Sequence, residues 1–282
     1  MTTGILYIVA TPIGNLNDIT LRAIEVLKQV DVIAAEDTRH SKKLLDHYGI
    51  DTRLMAVHDH NEQDRIAVLI QLLQEGKSVA LISDAGTPLI SDPGFRVVRA
   101  MQKAGLGVVS IPGPCAAVAA LSIAGLPTDR FLFVGFLPPK QQARRSALER
   151  VLTEPATLVF YESPKRIADC VADVVEVMGA ERVISVAKEI TKAFETVKIG
   201  AAAEVLSWLQ ADEHHRRGEF VLLVQGAETE AVGEVVVEPA SIRAVQLANE
   251  YMPMKKACAL VSELTGVPKN ALYEAVLLQN KG

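Results

Sequence analysis

The sequence predicts an α/β protein with two α/β domains, followed by a small helical domain of helix-turn-helix outline. Three observations predict it. Short apolar runs alternate with amphipathic segments over the first 125 residues, the alternation restarts near Phe131, and the tail from Ala240 is helix-like throughout. Alternation of this kind builds a largely parallel sheet with helices on its faces. The domains expected are 1–117, 118–228, a linker at 229–239, and 240–282.

The elements follow in order. Residues 5–9 read as a buried strand, and 18–30 as a helix with Ala23, Ile24, Leu27 and Val30 at helical spacing. Residues 32–34 are a second strand. Residues 41–48 are a helix stopped by Gly49. Then come a strand at 54–57, a helix at 65–74 ended by Gly76, a strand at 78–82, a helix at 95–103 and a strand at 108–111. The second series has strands at 131–134, 157–161, 183–186 and 220–224, with helices at 141–152, 166–178 and 202–210. The linker is polar, acidic and rich in small residues; its one strand-like run is Val235 to Val237. In the tail, 242–251 and 255–264 are helix-like, and a short helix starts at Lys269 after Gly266 and Pro268. This unit suits a packing cap or a nucleic-acid contact.

Composition narrows the function. The 282 residues are 49% hydrophobic and 22% charged, with a net charge of −5. A protein that coats nucleic acid neutralises many phosphates, so any such contact here must use a local basic face. The three cysteines, Cys115, Cys170 and Cys258, are dispersed and form no CxxC pair, which fits a reducing cytosol. The start, MTTGILYIVA, lacks the basic region of a signal peptide. The most apolar stretch, 105–127, is broken by Pro112, Gly113 and Pro114, so no membrane span is expected.

In open α/β sheets, ligands bind beyond the carboxyl ends of the strands. Three of the four loops there are rich in Gly, Pro and small polar residues: ATPIGNL after the first strand, SDAGTPLISDPG after 78–82, and PGPCAA after 108–111. Gly permits positive φ and close backbone approach, and Pro fixes turns. Neither GxxxxGK[ST] nor a strand-to-helix GxGxxG is present, and the loops hold few cations. A triphosphate is therefore disfavoured. A ligand with an aromatic end and no phosphate, such as S-adenosylmethionine, fits without being singled out.

The runs LYIVATPIGNLNDITLRA, AAEDTRHS, LISDAGTPLISDPG, IPGPCAAVAAL, GFLP, FYESPKR, AKEITKAFET and GEFVLLV occur in this order. They resemble the ribosomal RNA small-subunit methyltransferase I family, the cytidine-2′-O-methyltransferase branch of the tetrapyrrole (corrin/porphyrin) methylase superfamily. The resemblance implies two α/β domains with S-adenosylmethionine in the cleft between them. It also implies a homodimer, and a target cytidine in the decoding region of 16S ribosomal RNA in the 30S subunit. By motif position it places Pro12, Asp84, Ala85, Gly86, Thr87, Ile90, Cys115, Ala116, Tyr161, Ala187, Glu219 and Phe220 on the cofactor. The corrin branch shows GxGPG and GDP where this chain has ATPIG and GTP, which weighs against a tetrapyrrole substrate.

A ribose hydroxyl is a poor nucleophile until it loses its proton, so a base or a cation beside the developing alkoxide is needed. Glu36, Asp37 and Arg39 at a strand end are one candidate cluster; Asp37 or Thr38 could instead cap the next helix. Lys188, beside Glu189, is the second candidate. For RNA, Arg144 and Arg145 on one segment, and Lys165 and Arg166 after the next strand, form the expected basic face. Lys140, Arg150, and Lys255, Lys256 and Lys269 of the tail could extend it. His58, Asp59 and His60 lack a further His or Cys nearby, and no metal is expected. Cys115 is read as a small residue allowing close approach, and His214 to Arg217 as a solvated turn.

Overall fold

A computed structural model describes residues 3–58, 60–228 and 237–279. The linker residues 229–236, with most of their strand-like run, and Asp59 lie outside the described residues. The chain forms two compact units, 1–227 and 228–282.

The first unit opens with a five-stranded sheet in the order β3-β2-β4-β1-β5. Its strands are β1 (Ile5–Val9), β2 (Val32–Ala35), β3 (Leu54–Ala56), β4 (Val79–Ile82) and β5 (Gly107–Ile111). Every pairing is parallel, so all the carboxyl ends share one edge. Helices α1 (Leu21–Gln29) and α2 (Thr38–His47) bury Ala23, Leu27, Leu44 and Leu45 on one face. Helices α3 (Glu62–Gln74) and α4 (Phe95–Lys103) bury Leu69, Leu73, Val97 and Met101 on the other. Both faces of β2 and β4 are covered, which explains their unbroken apolar runs. The helix expected at 18–30 is split. A 3₁₀ turn spans Leu16–Asp18, and Thr20 caps α1 by accepting from the amide of Ala23 at 3.1 Å.

The second sheet has the order β6-β7-β10-β8-β9. It comprises β6 (Phe131–Phe136), β7 (Thr157–Glu162), β8 (Val183–Lys188), β9 (Thr196–Ala201) and β10 (Phe220–Val224). Only the β6–β7 pair is parallel; β10 runs antiparallel to β7 and β8, and β9 to β8. The sheet is therefore mixed, not a repeat of the first. One face carries α6 (Gln141–Glu149), α7 (Ile167–Met178) and α8 (Ala202–Ala211) over a core centred on the fully buried Phe160. A buried ring of that size contributes ~1.5–3 kcal/mol. The other face packs α5 (Ala116–Ile123), whose Ala117, Ala120 and Leu121 meet Val159, Ala187, Val221 and Leu223.

Two elements have no counterpart in the sequence reading. Helix α5, AAVAALSI, is apolar almost all round and carries no amphipathic period. Strand β9, TVKIGA, is an edge strand whose Lys198 and Gly200 dilute the alternation. The second unit holds α9 (Pro239–Asn249), α10 (Met254–Thr265) and α11 (Lys269–Gln279). They close around Ile242, Val245, Ala257, Cys258, Val261, Leu272 and Val276. Gly266 ends α10 in the left-handed conformation at φ 74°.

Candidate active site

The strand order decides which loops can meet. Because β1 lies between β4 and β5, the loops that follow these three strands are neighbours at the carboxyl edge. They are tied to one another. Thr11 and Gly86 exchange backbone hydrogen bonds of 2.9 and 3.0 Å. The Thr11 hydroxyl donates to Ser83 O at 3.2 Å, and the Thr87 hydroxyl to Pro114 O at 2.9 Å. Gly86 sits at φ 81°, where L side chains are strained, and a Cβ there would meet Ile13 Cγ2 at 3.3 Å. The small residues thus pack loop against loop, and the Gly86 main chain is already committed to Thr11.

Above these loops lies a cleft of about 470 Å³, closed on its other side by the second sheet. It brings together Glu36, Asp84, Ala85, Gly86, Thr87, Ile90, Cys115, Ala116, Tyr161, Glu219 and Phe220 from the sequence reading. The loop over its floor is strained. Leu89 and Ser91 have φ of 74° and 65°, uncommon for residues with side chains. Tyr161 forms part of the far wall. Its hydroxyl accepts from the Ala117 amide at 3.1 Å, and its ring meets Phe133 and Phe136 edge-on. Burial pushes its phenol well above the ordinary range, reinforced by the neighbouring Cys115. It stays protonated and serves as a wall and hydrogen-bonding group, not a base. At the rim, Lys192 bridges Glu189 and Glu219 at 2.9 Å each. A Cβ on Gly14 would meet Lys192 Cγ at 2.6 Å, so the first loop abuts this rim.

Asp92 is a cleft residue the sequence reading passed over. Its carboxyl is raised above the usual range by burial and by the charge of Asp84, while a hydrogen bond from the Ser83 hydroxyl opposes the shift. The signal was the SDPG turn, read only as loop chemistry. Asp84 accepts from the Asp37 amide at 3.1 Å through Oδ1.

Other expected residues lie elsewhere. Lys188 points to the helix-covered face, alongside Ile184 and Val186, and its ammonium donates to His214 O at 2.5 Å. Side-chain alternation along β8 turns it away from the cleft, so it is not the residue facing a substrate there. Glu189, its neighbour, is held by Lys192. Asp37 caps α2, accepting from the Arg39 and His40 amides at 2.8 and 3.4 Å; these bonds hold its carboxyl below the usual range. Arg39 is exposed and lines no part of the cleft. Ala187 is buried under α5, one layer behind the wall. Pro12 lines a second cavity instead of the first.

The expected RNA face needs the largest correction. Arg144 is 3% exposed and donates to Asp173 at 2.7 Å, and Arg145 reaches the other oxygen of the same carboxylate at 2.7 Å. Arg166 pairs with the buried Glu162 at 2.6 Å. These arginines hold α6, α7 and the end of β7 together, and Arg144 presents nothing to a phosphate. Lys165 alone of the four is exposed. Asp173→Ala is expected to cost ~3–5 kcal/mol, because it leaves the buried Arg144 guanidinium without a counter-charge, with only Pro139 O at 3.3 Å to accept from it. The midpoint of urea unfolding checks this.

Among the described residues no group of His, Cys, Asp and Glu could hold a metal ion. The His58 and His60 rings stand 6.0 Å apart, edge to face. No helix of the described residues is long and apolar enough to cross a membrane.

Two α/β sheets facing one cleft define a class of fold. The family model described as Tetrapyrrole (Corrin/Porphyrin) Methylases matches residues 5–206, and the model for the RsmI C-terminal HTH domain matches residues 236–281. Solved structures agree on the fold. Uroporphyrin-III-C-methyltransferase from Thermus thermophilus aligns with a TM-score of 0.54 at 22% identity, covering 79% of this chain and 94% of that one. Diphthine synthase aligns at 0.59 and 14%, covering 79% and 90%. These neighbours carry different names, so they speak for the fold alone. Closer relatives narrow the family. Ribosomal RNA small subunit methyltransferase I of Escherichia coli is 52% identical over 98% of this chain and 96% of its own. That of Pseudomonas aeruginosa is 51% identical over 98% of both. The chain belongs to the ribosomal RNA small subunit methyltransferase I family, within the tetrapyrrole methylases. Its cofactor is S-adenosylmethionine.

Proposed function

We propose that this protein transfers the methyl group of S-adenosylmethionine to the ribose 2′-hydroxyl of a cytidine in the decoding region of 16S ribosomal RNA, in the 30S subunit. The observation that carries the reading is the near-full-length likeness to relatives named ribosomal RNA small subunit methyltransferase I. The cytoplasm is the compartment this activity requires. A homodimer fits the apolar side chains left exposed on α5 (Val118, Ile123) and on the outer strands of the second sheet (Phe131, Leu132, Ile199).

The cleft residues suit the cofactor. The volume falls in the range of ligand pockets, and the walls combine apolar groups with a few polar ones. Few cations line it, in keeping with a donor that carries no phosphate. When bound, the cofactor supplies an electrophilic methyl on a good leaving group. Ile13, Ala85, Ile90, Ala116 and Tyr161 exclude water from it, and Asp84 and Glu219 offer carboxylates to its polar end. The 2′-hydroxyl proton goes to Asp92, whose carboxyl is raised by burial and by the charge of Asp84 and so takes up a proton more readily than an ordinary carboxylate.

The experiment is transfer of radiolabelled methyl to 30S subunits, followed by nuclease mapping and nucleoside analysis. The expected product is a 2′-O-methylcytidine in 16S RNA. Label on a base, or transfer to a tetrapyrrole in place of RNA, would overturn the reading.

A further inference from the structure

A second cavity, of about 280 Å³, opens at the same sheet edge on the other side of Asp84. Its walls come from two loops and one helix: Thr11, Pro12 and Leu16 after β1, Ser83 and Asp84 after β4, and His40, Ser41, Lys43 and Leu44 on α2. Asp84 is the one residue common to both cavities.

Three features mark the second cavity as a site. Ser41 is 3% exposed, and its hydroxyl has no hydrogen-bond partner among the described residues. A buried hydroxyl without a partner costs about 1–3 kcal/mol, which a bound polar ligand would relieve. The mouth is basic. His40 and Lys43, both exposed on the first two turns of α2, line it, and Lys43 enters no ion pair among the described residues, whereas Lys42 is held by Asp46 at 2.9 Å. Lastly, Ser83 of this wall, whose hydroxyl donates to Ala85 O at 3.3 Å, lies beside Asp92 of the first cavity, so the two cavities share a polar border.

We infer that this cavity receives the acceptor nucleotide, drawn out of the RNA strand, with Lys43 and His40 on a flanking phosphate and Ser41 bonded to the nucleoside. The inference rests on the reading above, that the first cavity holds the donor. In-line methyl transfer requires acceptor oxygen and methyl carbon within ~3–3.5 Å, so acceptor and donor must meet where the two cavities adjoin, beside Asp84. The cavity is small and takes one nucleoside, not a length of strand, which matches extrusion of a single nucleotide. The basic end of α2 stands in for the α6 face as the phosphate contact.

The test uses the full-length protein, Lys43→Glu and Ser41→Ala, with steady-state transfer to 30S subunits and calorimetric titration with S-adenosylmethionine. Lys43→Glu is expected to raise KM for 30S at least tenfold and to reduce the salt dependence of binding by about one unit of slope. Donor affinity should stay within twofold, and Lys43→Arg should restore most of the KM. Ser41→Ala should raise KM several-fold with the same donor affinity; Lys43 is exposed, so its variants decide the matter if Ser41→Ala does not fold. An unchanged KM and salt slope in folded Lys43→Glu would overturn the inference while wild-type transfer stands. Weakened donor binding in that variant would overturn it too, by assigning the cavity to the cofactor. Wild-type protein that methylates no 16S RNA would overturn the functional reading itself.

Discussion

Asp92→Asn is expected to lower kcat for methyl transfer about 100-fold while leaving donor affinity within twofold, at the lower end of what general-base groups supply. Asp92 is half-buried in the cleft, and burial and the charge of Asp84 raise its carboxyl above the ordinary aspartate value of 3.8. The sign of the pH dependence follows. A base works only when deprotonated, so kcat/KM should fall as pH drops through the raised value, at higher pH than an ordinary carboxylate would give. Removing the charge of Asp84 relieves the repulsion. In Asp84→Asn the surviving activity should show its acid limb shifted to lower pH. Stopped-time assays across a pH series on both variants check this. An acid limb unmoved in Asp84→Asn, or a full rate in Asp92→Asn, would remove the carboxylate pair from the chemistry.

Gly86→Val is expected to abolish measurable donor binding and to lower stability at once. The φ of 81° costs a β-branched residue ~1–2 kcal/mol or more. The added side chain also presses on Ile13, in the wall of the cleft. The Thr11–Gly86 bridge that ties the first and third loops together would be displaced with it. Thermal unfolding separates the two effects. A folded variant with lowered Tm and no calorimetric heat is the expected outcome. Undiminished affinity in a folded variant would mean that the third loop does not shape the donor site.

What the sequence could and could not say follows from the range of the signals. The parallel sheet was legible because its central strands, VIAA and VALI, are buried on both faces and bounded by turns. The cleft loops were legible because ligand loops must lie at strand ends, and most of the residues expected there do converge. Side-chain direction was not. Lys188 sits at the end of a strand that reaches the cleft, yet alternation turns it to the helix side. The partner of Arg144 was equally out of reach. Asp173 is 29 residues away on α7, and nothing local tells a buried Arg from a phosphate-binding one. The basic end of α2 was in plain sight as TRHSKK, but its meaning depends on a cavity formed with loops 11–16 and 83–84, brought together only by the sheet order.

Photo-crosslinking of radiolabelled S-adenosylmethionine, with the labelled peptides sequenced, tests the central arrangement most directly. Label is expected on residues 84–92, 115–116, 161–164 or 219–221, the walls of the larger cavity. Label confined to 11–16 or 40–44, the walls of the smaller one, would contradict it by putting the donor where the acceptor is assigned.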